Sequence, residues 1–498
     1  MGRHVDDRSF KPIDRQRYRN KMQRGLDALA RMLADGEFSF PHQQMGLEME
    51  LCLVDEHMQP SMNNTVVLEK ISELIFTTEL GQQNIELNVE PRVLAGDSAL
   101  RLEEGVRAAL HRADSGAHDA GAKIAMIGSL PTLRSLHFDP STLTSNPRYS
   151  VLNDQIIMAR GEEMLLDMEG VPLADAGPER LRSYADSIAP ESACTSVQLH
   201  LQVAPEDFAA HWNAAQCLAG VQVAIGANSP FLLGKALWHE TRVPLFLQAT
   251  DTRPTELRNQ GVRPRVWFGE RWITSIFDLF EENVRYFPAL LPEPEEEDPV
   301  AALDNGRAPK LNELRLHNGT IWRWNRPVYD LVEGVPHLRI ENRVLPAGPS
   351  VVDIVANAMF FYGAQRALTE QDRPFWTQMS FAAAEENFYA GARHGFDSHL
   401  YWPGSGWVTP DELVLRRLLP MAHEGLRACG VSDEARTRYL GVVEQRCQAR
   451  QNGATWQRDV VAQLEADGAD RQTALSSMLR RYIELADGGD PVHSWPTR

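Results

Sequence analysis

The chain of 498 residues is short of cysteine, of long apolar runs and of net positive charge. Each shortage excludes something. The five cysteines (Cys52, Cys194, Cys217, Cys429, Cys447) are scattered with no C-x-x-C pair. That leaves no zinc or disulfide signature and fits a reducing compartment. No apolar run is long enough to span a bilayer, and the best, residues 218–234, is interrupted by Gln222 and Asn228. The opening MGRHVDDRSF lacks the apolar core of a secretory signal, and Asp6 stands where myristoylation of Gly2 needs Ser or Thr. A formal net charge of -18 argues against general nucleic-acid binding and against an anionic membrane surface. GANSPFLLGKA resembles a phosphate-binding loop only superficially: seven residues separate Gly226 from Gly234, and Ala236 follows Lys235. There is no internal repeat or low-complexity tract. A soluble, cytoplasmic protein is expected.

Three regions are expected. Residues 1–44 form an N-terminal helical arm. Its helix, over 14–34, carries a stripe of Leu26, Leu29, Met32 and Leu33, stops at Gly36, and is basic in its first half (Arg15, Arg17, Arg19, Lys21, Arg24). That basic half reads as a solvated face rather than a nucleic-acid arm. Residues 45–371 mix strands and helices and form the catalytic domain. In it Asp97 is placed to cap a helix carrying Leu100, Val106 and Leu110. KIAMIG, residues 123–128, reads as a buried strand, and Pro205, Glu206 and Asp207 open a long helix ending near residues 226–230. The acidic, proline-rich residues 291–309 read as a surface loop, strands resume after residue 310, and a helix starts near residue 350. Residues 372–498 form a helical region that ends at Gly488-Gly489-Asp490-Pro491 and serves packing or an oligomer surface.

The chemistry gathers on strands. In GLEMELCLVDE, residues 46–56, Leu47, Met49, Leu51 and Leu53 alternate as a half-buried strand requires, and Glu48 and Glu50 share the other face. Two residues along a strand lie about 6.7 Å apart, where like charges repel by about 2.5 kcal/mol at an effective dielectric of ~20. For this strand alone a solvated face is the simpler reading. The design recurs, however. Glu86, Asn88 and Glu90 oppose Ile85, Leu87 and Val89; Gln198, His200 and Gln202 alternate with Val197, Leu199, Leu201 and Val203; Arg339, Glu341 and Arg343 alternate with Leu338, Ile340 and Val344. These faces hold no Lys, Ser or Thr. They hold the side chains that bind hard divalent cations or grip phosphate. Mg²⁺ shares its positions between carboxylates, waters and substrate phosphates, and arginines suit the phosphate end. The fold expected is α+β: a curved antiparallel sheet with flanking helices, whose concave face holds Mg²⁺ and a nucleoside triphosphate. Glu48, Glu50, Glu86, Glu90, His200 and Glu341 are the metal candidates, with Gln198 and Arg339 beside them. For His200 the competing reading is a satisfied core histidine. For the arginines it is a salt bridge to the same glutamates.

These residues also match a family. Gly46, Glu48 and Glu50 fit a Gly followed by an acid-x-acid strand. Glu86 and Glu90 fit E-x-x-x-E, and Asn146, Arg148 and Tyr149 fit N-x-R-Y. Ala227, Ser229, Pro230, Phe231 and Gly234 fit A-x-S-P-F-x-x-G, with Arg242 soon after. Trp322, Trp324, Arg326 and Pro327 fit a Trp-rich strand ending in Arg-Pro, and Glu341 and Arg343 fit E-x-R. In this order they resemble the second family of glutamate–cysteine ligases, carboxylate–amine ligases with a glutamine-synthetase-like catalytic fold related to the guanidino kinases. The match runs roughly over residues 45–370. The chain departs from the family at Gln198-Leu199-His200-Leu201-Gln202, where H-x-H-x-G is usual, at Pro346, where an acid often follows E-x-R, and in its helical tail.

The resemblance implies an ATP- and Mg²⁺-dependent ligase that activates a carboxylate as an acyl phosphate and joins it to an amine. An amino acid such as glutamate is the expected acid. It makes Arg326, Arg343 and Glu341 catalytic, and gives Arg148, Tyr149, Ser229, Arg242, Arg339 and Gln198 to substrate or nucleotide. Trp322 and Trp324 are candidates for stacking on adenine or for the aromatic core. The partners implied are small molecules, with no nucleic acid or membrane; a homo-oligomer is left open. The alternatives are a guanidino-kinase-like phosphotransferase, a metal-dependent hydrolase, and a non-catalytic nucleotide- or metal-binding regulator.

Overall fold

A computed structural model describes residues 10–174 and 176–498; Gly2 and Asp6 lie outside them. Its centre is a curled seven-stranded sheet. The strands are β1 (Gln44–Val54), β2 (Phe76–Thr78), β3 (Asn84–Val93), β4 (Lys123–Ala125), β5 (Val197–Gln202), β6 (Asn325–Val332) and β7 (Val335–Asn342), in the order β6-β7-β5-β1-β3-β2, with β4 also pairing β1. All the pairings are antiparallel. The four strands with acid, amide, His and Arg faces are therefore neighbours. Leu47, Met49, Leu51 and Leu53 are almost fully buried, as alternation requires. The strand expected over 123–128 stops at Ala125.

The helices that matter for the site are α1 (Pro12–Asp35), α2 (Ser98–Asp119), α3 (Pro147–Arg160), α4 (Phe208–Gly226) and α5 (Val351–Thr369), then α6 (Phe381–His394), α7 (Leu419–Ala428), α8 (Asp433–Ala449), α9 (Gly453–Ala466) and α10 (Arg471–Gly488). Helices α4 and α5 are buried nearly all round, the signature of central rather than surface helices. Tyr362 on α5 reaches the sheet, donating to His200 O at 3.0 Å. Asp97 precedes α2 but its side chain makes no capping bond. No helix of the described residues is long and apolar enough to cross a membrane.

Helix α1 ends at Gly36 in the left-handed region, φ 70°. Its basic face is not simply solvated. Arg24 pairs with Asp298 at 2.6 Å, Arg31 with Asp304 at 2.9 Å, and Lys21 donates to Glu297 O at 2.6 Å. The acidic segment 291–309 thus lies along the basic helix, where opposite charges are mutually satisfied. That segment is not loop throughout: Asp298 accepts from Val300 N and Ala301 N and starts a short helix, Pro299–Asp304. A helix, Asn312–Asn318, also precedes the strands expected after residue 310.

The C-terminal helices share one apolar core with the sheet. Arg446 on α8 forms a fully buried ion pair with Asp353 on α5 at 2.7 Å. Tyr482 on α10 donates to Met126 O at 2.7 Å and accepts from Asn228 Nδ2 at 2.7 Å.

Candidate functional site

Antiparallel register turns four sequence patterns into one surface. Glu50 lies opposite Glu86, Glu48 opposite Asn88 and Gln198, and His200 opposite both Gly46 and Glu341, while Glu341 faces Arg326. Gly46 leaves this crossing open: a Cβ there would sit 3.4 Å from that of His200.

One end of the surface is a clamp. Glu341, 1% exposed, accepts from Arg326 Nη2 at 2.7 Å and Nε at 3.2 Å, and from Arg343 Nη1 at 2.8 Å. Burial opposes the charge on Glu341, but the two guanidinium groups outweigh it and hold the carboxyl far below its ordinary value. His200 Nε2 sits 3.2 Å from Glu48 Oε1, within ion-pair reach but off hydrogen-bond geometry. Burial raises Glu48, but its interactions with His200 together outweigh that, so the net shift is downward. Arg339 donates to His200 Nδ1 at 3.1 Å and pairs with Asp330 at 3.3 Å.

The other end is carboxylate-rich. Glu50 accepts from Ser196 N at 2.7 Å and from Gln198 Nε2 at 3.0 Å. Burial, and then the charge of Glu86, leaves it harder to ionise than usual. Glu86 and Glu79 are both raised, first by burial; Glu79 then raises Glu86 further, whereas the hydrogen bond with Glu86 lowers Glu79 and the charge of Glu50 raises it. Glu191 is pushed up to about 8 by burial and by Glu50. The site's acids therefore divide into two groups: Glu48 and Glu341 are held below the ordinary carboxylate value, and Glu50, Glu79, Glu86 and Glu191 are pushed above it.

The remaining candidates enter from outside the sheet. Asn146 caps α3 by accepting from Arg148 N at 3.0 Å. This brings Arg148 near Arg326 and Glu79, and Tyr149 near Glu79 and Glu86. Ser229 and Arg242 meet on Glu240, which is fully buried: Ser229 Oγ donates at 2.6 Å and Arg242 Nη1 at 3.1 Å. Arg242 Nη2 also donates to Arg343 O at 3.4 Å, tying this cluster to the clamp.

The structure does not bring every candidate in. Glu90 lies at a register shift between Met45 and Leu47, is exposed, and makes no ion pair or hydrogen bond with any described residue. The bulge carries it to the rim, away from the other carboxylates. Trp322 and Trp324 are both buried against Phe246, with ring centroids 5.9 and 6.0 Å away, so both belong to the aromatic core. Glu79, Glu191 and Glu240 were missed by the sequence reading. Each lies outside the alternating strands, where the period of two gives no signal.

Among the described residues no three His, Cys, Asp or Glu side chains already converge as a metal cage. The donor set nonetheless suits Mg²⁺. It is all oxygen at the Glu50–Glu79–Glu86 end, and burial pushes each of these carboxylates above its ordinary value, a cost that a bound cation would offset. Mg²⁺ keeps several waters and substrate ligands and needs few protein donors.

The family model for glutamate-cysteine ligase family 2 matches residues 44–476. Among solved structures, a glutamate–cysteine ligase from Francisella tularensis in complex with AMP aligns at a TM-score of 0.52. It is 10% identical, and the alignment covers 93% of this chain and 91% of that one. A bifunctional glutathione synthetase from Pasteurella multocida aligns at 0.41 with 12% identity, over 93% of this chain and 55% of that one. No curated protein matches the chain.

Proposed function

We propose, from the premise that the chain belongs to glutamate-cysteine ligase family 2, that it joins the carboxylate of an amino acid such as glutamate to an amine through an acyl phosphate. Membership makes it an ATP-dependent carbon–nitrogen ligase. The observation that carries the finer reading is the shared sheet face. Glu48, Glu50, Glu86, His200 and Glu341 stand there beside the Arg326–Glu341–Arg343 clamp.

The substrate carboxylate oxygen attacks the γ-phosphorus of ATP, and the bond from that phosphorus to ADP breaks. The amine nitrogen then attacks the acyl carbon, inorganic phosphate leaves, and the amine gives up a proton. Phosphoryl transfer of this kind is mostly positioning and electrostatics. Arg326 and Arg343 are held rigid by Glu341, and each keeps N–H donors not spent on it, so they are preorganised for the transferring phosphoryl group. Glu48, Glu50, Glu79 and Glu86 would hold Mg²⁺, which offsets phosphate charge when bound. Arg148 and Tyr149 line the approach from α3, while Ser229 and Arg242, buried on Glu240, support the clamp through Arg343 O. Gln198 positions Glu50, and Arg339 positions His200. Glu90 has no part in this reading.

The test is ADP release with MgATP across amino acids singly and in pairs, with mass spectrometry of products. A condensed product appearing only with one acid–amine pair is the expected result. ADP with a single substrate and a phosphorylated product would instead mark a phosphotransferase.

A further inference from the structure

A second cleft, of about 410 Å³, opens where residues 171–174 and His239 meet the turn after α6 and the helix α9. None of the candidate catalytic residues lines it. Two of its side chains are more than nine-tenths buried yet incompletely bonded. Arg458, 7% exposed, donates from Nη2 to Pro172 O, but its Nη1 has no hydrogen-bond partner among the described residues. His239, 8% exposed, makes no side-chain hydrogen bond with any described residue. Buried donors are rarely left unpaired, because the lost hydration is not repaid.

Charge decides what would pair them. The cleft is lined by two arginines, Arg450 and Arg458, and two aspartates, Asp397 and Asp459. Burial drives His239 down to about 3, and burial together with Arg393 lowers His394, so both imidazoles are neutral at pH 7. Arg450 is already committed, to Asp397 at 2.7 Å and Asp411 at 2.6 Å. That leaves the Arg458 guanidinium at depth with no ion pair among the described residues, and its strongest opposite charge, Asp459, exposed at the rim. A phosphate dianion would meet one open cation and the unpaired carboxylate of Asp459. A zwitterion matches both ends.

We propose that this cleft binds a small zwitterion, an α-amino acid or short peptide, with its carboxylate on Arg458, its ammonium toward Asp459, and His239 bonding a polar group between. The site is separate from the candidate catalytic surface, although His239 adjoins Glu240. Its occupancy does not depend on the ligase reading.

The test is calorimetric titration of the full chain, without nucleotide, with L-glutamate, L-leucine, L-arginine, glycylglycine and inorganic phosphate. At least one zwitterion should bind. Arg458→Gln should weaken that probe about tenfold or more, the usual consequence of losing a charge-assisted hydrogen bond. Arg343→Ala, in the catalytic clamp, should leave it within about threefold. His239→Phe, which keeps the ring volume without its nitrogens, should also weaken it and carries the test if Arg458→Gln does not fold. No binding by any zwitterion would overturn the proposal. So would binding of phosphate alone, or zwitterion binding that Arg343→Ala abolishes and Arg458→Gln or His239→Phe spares.

Discussion

Glu341 holds two guanidinium groups at once, so losing either arginine disturbs the other's anchor. Arg343→Ala removes the cation we propose meets the transferring phosphoryl group and leaves Glu341 half paired. We expect turnover to fall by at least about 100-fold, as when a preorganised donor is deleted, with circular dichroism unchanged. Glu48→Ala should do the same; double-digit percentage activity in either folded variant would remove these residues from the catalytic set. Glu240 differs, being fully buried and bonded to Ser229 and Arg242. Glu240→Gln strands a buried guanidinium and should cost roughly 3 kcal/mol in urea unfolding. Adding Arg242→Met should restore part of that stability, because the stranded charge goes with it. If the double variant is no more stable than the single, the Arg242–Glu240 pair is not what Glu240 contributes.

Between elements, Glu103 joins α2 to α8. It accepts from Arg438 Nη2 at 2.9 Å, from Arg107 Nε at 2.9 Å and from Tyr439 Oη at 2.8 Å. Burial raises its affinity for a proton, but these three donors outweigh burial, and the net shift is below the ordinary 4.5. A carboxylate depressed on folding stabilises fully above its unfolded pKa, and that stability is lost as pH falls through the folded value. Glu103→Gln should therefore destabilise the chain at pH 7 and flatten the fall in melting temperature between about pH 5 and pH 3. An unchanged slope would mean that other carboxylates govern acid unfolding. The pairing of α1 with residues 291–309 is also a relation between elements. Each segment's charge was legible, but that the two lie together was not, because they are far apart in sequence.

For the whole molecule, the open matter is how far the catalytic unit extends. The family match runs to residue 476, and α7, α8 and α10 share the core with α5 and the sheet. Arg446 neutralises buried Asp353, which also accepts from Val492 N at 2.9 Å near the end of the chain. We propose that residues 372–498 are part of the folding unit. A chain ending at residue 371 would expose the apolar face of α5 and leave Asp353 without its cation, a loss of about 3–5 kcal/mol from that pair alone. It should be aggregated or molten by near-UV circular dichroism. A monomeric, cooperatively melting fragment would refute this.

The sequence by itself determined the strands that carry the chemistry and the residue types on their polar faces, because alternation with a period of two is a local property. It also determined which motifs stand in what order, and so the family. Only the tertiary structure decided which of those carboxylates share a surface. A one-residue register shift opposite Gly46 sends Glu90 to the rim while Glu86 stays opposite Glu50, and no pattern within one strand encodes its partner's register. It alone brought in Glu79, Glu191 and Glu240, which lie outside the alternating strands and have no periodicity to betray them. It decided, too, that Glu341 is held below the ordinary carboxylate value by two guanidinium groups while burial and Glu79 push Glu86 above it. Both are glutamates on alternating strands, and the difference lies in the charges that folding places beside each one.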